Sequence, residues 1–96
     1  MDNSVFTHSL VAEDTAVKSG AGVLHSLTFS CDDAAPTAGT IDVYDNTAGS
    51  GTKIYSETFT TTAFRGNTVV LDVAFTTGLY IDFTTTADIN VTVAYR

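Results

Sequence analysis

The chain has 96 residues, with 11 acidic against 4 basic side chains and a formal net charge of −7 at neutral pH. That length holds one hydrophobic core and leaves no room for a second, so residues 1–96 are expected to form a single domain. The acidic balance repels phosphate backbones, which argues against nucleic acid as a partner and suits a basic protein patch instead.

Thr accounts for 18 residues, and Val, Ile, Tyr and Phe supply much of the remaining bulk. These β-branched and aromatic side chains fit a pleated, half-buried surface. Helix formers other than Ala are scarce, with two Lys, two Arg, two Glu, one Met and no Gln. Short strands joined by turns are therefore expected, about eight in all.

The first two predicted strands cover residues 4–11 and 14–19, with Glu13-Asp14 turning the chain between them. In the first, Phe6, His8 and Leu10 alternate with Val5, Thr7, Ser9 and Val11, and either set can face a core. After Gly20-Ala21-Gly22 a third strand runs from Val23 to Cys31. Its odd positions, Val23, Leu27, Phe29 and Cys31, predict an apolar face interrupted by His25. The stretch from Asp32 to Gly39 contains the only Pro and reads as a turn.

Thr40 to Asp45 resumes the alternation, with Ile41 and Val43 on one face and Asp42 and Tyr44 on the other. A loop from Asp45 to Thr52 leads to a strand over Lys53–Phe59, and a longer connection follows through Thr60-Thr61-Thr62 and Arg65-Gly66-Asn67. Three strands close the chain, carried by Val69, Leu71, Val73 and Phe75, then Leu79, Ile81 and Phe83, then Ile89, Val91, Val93 and Tyr95. Strands at this spacing, with no helix to cross between parallel neighbours, predict an antiparallel, jelly-roll-like β-sandwich.

Groups able to do chemistry are few. Cys31 is the single cysteine, and with only His8 and His25 it makes neither a disulfide nor a closed zinc site. The acidic neighbours Asp32 and Asp33 are expected to disfavour its thiolate, the opposite of what a nucleophile requires. Asp42 with Asp45 lacks the further carboxylates of a calcium loop, and turn formation accounts for both. The pairs Gly20/Gly22 and Gly49/Gly51 are not followed by a helix that would receive a phosphate, so they read as turn glycines. No cofactor, no metal and no catalytic activity are expected. Tyr44, Tyr55 and Tyr80, taken as exposed, offer either a carbohydrate or protein platform or interior packing. Met1-Asp2-Asn3-Ser4 opens without a basic and apolar leader, and no apolar run reaches membrane length, so a soluble chain made in the cytoplasm is expected.

The order of motifs from Val17-Lys18-Ser19-Gly20-Ala21-Gly22-Val23-Leu24-His25-Ser26-Leu27, through Gly39-Thr40-Ile41-Asp42-Val43-Tyr44-Asp45-Asn46 and Gly51-Thr52-Lys53-Ile54, to Gly78-Leu79-Tyr80-Ile81-Asp82 and the closing Val91-Thr92-Val93-Ala94-Tyr95-Arg96 resembles the small β-sandwich head decoration, or cement, proteins of tailed bacteriophages. The resemblance covers residues 17–96. It implies a virion protein on the outer surface of the capsid that binds the major capsid protein, bridges neighbouring subunits and associates with itself, commonly as a trimer. It carries no catalytic motif. Residues 1–12 are expected to serve as an edge strand or arm toward a partner, with Val5, Phe6, His8, Leu10 and His25 as the partner-facing candidates. A receptor- or carbohydrate-binding module of a phage tail or fibre is the competing reading.

Overall fold

Alternating β-branched and aromatic residues form eight strands in the computed structural model, which describes residues 6–31, 39–59, 67–84 and 89–96. They are β1 (Thr7–Val11), β2 (Thr15–Ser19), β3 (Gly22–Cys31), β4 (Gly39–Asp45), β5 (Thr52–Phe59), β6 (Asn67–Phe75), β7 (Gly78–Thr84) and β8 (Ile89–Tyr95). Every pairing is antiparallel, in two four-stranded sheets ordered β1-β8-β3-β6 and β2-β7-β4-β5. Successive strands switch sheets at every connection except β4–β5, which is a hairpin within the second sheet. That interleaving is the jelly-roll arrangement expected from the strand spacing.

One side of each sheet builds the core. Phe29, Leu24, Leu27, Phe75, Ile89, Val91 and Val93 come from the first sheet, and Ile41, Val43, Leu79 and Ile81 from the second. Each such side chain contributes about 1.5–3 kcal/mol when removed from water. The parity left open in the first strand is settled by Val11, which is buried against the core while Leu10 stands in solvent. Val5 and the connections over 32–38 and 60–66 lie outside the described residues, as do the side chains of Cys31, Phe59 and Asn67.

The third strand departs from strict alternation. Leu27 and Phe29 face the core as predicted, but Leu24 joins them and Val23 does not. The cause is a bulge. Between the pairs Leu24↔Tyr95 and Ser26↔Ala94, β3 has the extra residue His25 while β8 has none. Between Leu24↔Val73 and Ser26↔Val70, β6 answers that one residue with two, Leu71 and Asp72. Asp72 takes a left-handed backbone, φ 50°, at this point. The irregularity thus widens strand by strand across the sheet and turns His25 away from the apolar face, as bulges do.

Two glycines are required by close approach rather than by turn geometry. A Cβ at Gly22 would stand 2.2 Å from the Arg96 carbonyl oxygen, where Val23 and Arg96 exchange backbone hydrogen bonds of 2.7 and 3.0 Å. At Gly78 it would stand 2.8 Å from the Lys18 carbonyl oxygen and 2.9 Å from that of Asn46.

Candidate interaction surfaces

The two outer faces of the sandwich differ in chemistry because strand register sorts the side chains. On the first sheet, Leu10, Thr92, Thr28 and Thr68 form one row across all four strands. His8, Ala94, Ser26 and Val70 form the next, and Asn90 pairs with Ser30 beyond. These rows contain no Asp, Glu, Lys or Arg. Leu10, at 67% exposure, and Val70, at 62%, are the large hydrophobic residues left in solvent among the described residues, and both lie here at opposite edges. The Thr28 and Thr68 hydroxyls bond each other at 3.2 Å.

A third row closes this face at its bulged end. The His25 ring stacks on Phe6, the residue just before β1, with centroids 4.2 Å apart and planes within 8°. His25 Nδ1 lies 2.6 Å from Asp72 Oδ1, and the Arg96 guanidinium sits 5.4 Å from the Phe6 ring centre. The bulge makes this constellation possible: it lifts His25 out of the alternation and brings Asp72 opposite it. Of the partner-facing candidates, the structure therefore joins Phe6 to His25, sets His8 and Leu10 on the uncharged rows, and leaves Val5 outside the described residues.

The outer face of the second sheet is acidic. Asp42 stands directly opposite Asp82 and Ser56, and the neighbouring Asp14 accepts a 2.6 Å hydrogen bond from the Phe83 backbone amide. Ser56 donates to Asp42 at 2.6 Å, and Lys53 Nζ approaches the same carboxylate at 3.5 Å. Burial pushes the Asp82 pKa up, and the charge and hydrogen bond of Asp14 and the charge of Asp42 add to the rise, while Lys53 opposes it. Like charges opposed on adjacent strands are a cost that the isolated fold retains.

The tyrosines do not form the open platform that the alternation allowed. Tyr44 and Tyr80 are cross-strand partners, but both are half-buried, and a side chain at Gly49 would stand 3.3 Å from the Tyr80 ring and from the Asp82 carboxylate. The β4–β5 loop thus passes over that end of the face, braced by Asn46, which donates to the Ser50 carbonyl at 2.7 Å. Tyr55 turns inward, its ring 6.5 Å from that of Phe29, and its hydroxyl donates to Glu57 at 2.5 Å. Burial and this carboxylate push its pKa up to about 12.

Asp42 and Asp45 do not converge on a common point. Asp45 instead accepts backbone amides of Thr76 at 3.0 Å, Thr77 at 2.8 Å and Gly78 at 3.3 Å, which hold its pKa below the ordinary value despite some desolvation. Sequence reading missed this role, because the donors lie more than thirty residues away. Among the described residues no group of three or more His, Cys, Asp or Glu side chains is placed to hold a metal ion. No protein-family profile, curated protein or solved structure matches the chain.

Proposed function

We propose that this chain is a structural protein of a tailed-phage virion that binds the outside of the head and bridges major capsid protein subunits. The observation that carries this reading is the sorting of charge between the two outer faces. A bridging subunit must touch two neighbours, and a sandwich with one acidic side and one whose central rows are uncharged supplies two chemically distinct contact surfaces. Asp14 and Asp82 fit a basic patch on the shell, which would relieve their repulsion with each other and with the buried Asp42 beside them. The motif order, which resembles that of head decoration proteins, suits the same role. Covering of Tyr80 and inward turning of Tyr55 weaken the glycan-binding alternative, since aromatic rings must be open to stack on a sugar.

Mixing the purified chain with heads that lack it tests the proposal. Co-sedimentation at a fixed number of copies per head, with a raised melting temperature of the shell, is the expected result. Binding to host-cell glycans without binding to heads would discard it.

A further inference from the structure

We propose that β1 is a releasable strap, which lifts off β8 and closes again while the rest of the sandwich stays folded, and that the Phe6 ring on His25 is its catch. The inference stands without the capsid reading. β1 is an edge strand that pairs with β8 alone, from Thr7↔Tyr95 to Val11↔Val91. Of its side chains only Val11 is buried, while Thr7, His8 and Leu10 are exposed and Ser9 is half-buried. Thr7 and Ser9 share the side of Val11, so two of the three positions turned toward the core are polar. β8, by contrast, buries Ile89, Val91 and Val93 between two neighbouring strands. Fixing a strand costs conformational entropy at every residue, and one buried Val offsets little of it. Few buried apolar contacts and an exposed ladder mark a segment that opens locally.

The two ends of the strap are held differently. After β1 the chain is pinned to the second sheet, where Asp14 accepts the Phe83 amide at 2.6 Å and Thr15 donates to the Glu13 carbonyl at 2.7 Å. Ala12 and Glu13 are left as the pivot. At the other end the ladder stops at Thr7, and side chains take over the hold. Phe6 is half-buried and reaches past β8 to stack on His25 of β3, with 4.2 Å between centroids. Asp72 on β6 holds the imidazole through Nδ1 at 2.6 Å, and the Arg96 guanidinium sits 5.4 Å from the Phe6 ring centre. Arg96 is itself fixed to the body by the backbone hydrogen bonds it exchanges with Val23. The receiving groups therefore stay in place, and Phe6 travels with the strap.

Opening turns β8 into an edge strand whose backbone groups toward β1 are free to pair with an extended segment of a partner. The catch thus governs when this edge is offered.

Native-state hydrogen exchange on the full chain, followed by amide-resolved NMR at rising but sub-denaturing urea, tests this. Amides that bond β1 to β8 should exchange through an opening nearly insensitive to urea. They should precede those between β4 and β7, which wait for global unfolding. Phe6→Ala should speed exchange in β1 about tenfold, and Phe6→Tyr, which keeps the ring, should leave it near wild type. Ile41→Val, in the core under the second sheet, should speed exchange between β4 and β7 and leave β1 unchanged, because open and closed forms lose the same contact. Amides of β1 as slow and as urea-dependent as those between β4 and β7 would overturn the proposal. So would unchanged β1 exchange in Phe6→Ala, or faster β1 exchange in Ile41→Val.

Discussion

Asp82 carries a cost in the isolated fold that the proposed contact with a basic patch would relieve. Its pKa is raised, so the folded chain binds more protons than the unfolded chain between the ordinary value of 3.8 and the raised one. Stability from this group therefore grows as pH falls through that window and is missing at neutral pH. Asp82→Asn should raise the melting temperature at pH 7, and the gain should shrink toward zero below pH 3.8. If the acid row meets a basic patch, the same variant should occupy heads less fully, a trade of activity against stability. Tyr55 titrates at the other end of the scale. Its folded pKa of about 12 lies above the ordinary 10.0, so its contribution is complete below pH 10.0 and is lost as pH rises toward 12. Tyr55→Phe should flatten alkaline unfolding followed by circular dichroism across that interval.

At the scale of elements, the strands are held in register by contacts that lie far apart in sequence. Asp45 ends β4 and ties down the turn between β6 and β7 by accepting its successive amides. Because its pKa is lowered, that contribution is present above the ordinary value of 3.8 and is lost as pH falls through the lower folded value. Asp45→Asn should therefore melt at a lower temperature than wild type at pH 7, and the two should converge in strong acid. Bulges play the corresponding part in the first sheet. Strict alternation placed Val23 and His25 with Leu27, and it failed at the point where β3 and β6 take in extra residues. A period-two reading has no means of detecting an inserted residue, since both registers are locally acceptable.

For the whole molecule, the proposed function rests on the distribution of charge over the two outer faces. If the acid face meets the shell, binding to heads should fall steeply as salt rises from low to physiological strength and beyond, while the fold itself survives. Retention of full occupancy at high salt would point to the uncharged face as the shell contact instead.

Strand existence and most of the core were legible in the sequence, because Leu27, Phe29, Ile41, Val43, Leu79, Ile81, Ile89, Val91 and Val93 each follow local alternation and all are buried. Phe6, His8, Leu10 and His25 were singled out from position and pattern, yet nothing local showed that Phe6 and His25 stack or that Asp72 holds the ring. The acid row escaped notice for the same reason: Asp42 and Asp82 stand on different strands, and only pairing of β4 with β7 sets them opposite. Alternation is a property of neighbouring residues and is written along the chain. Which faces oppose, and therefore where charge gathers and where it is excluded, depends on pairing between distant strands, which the closed tertiary structure alone decides.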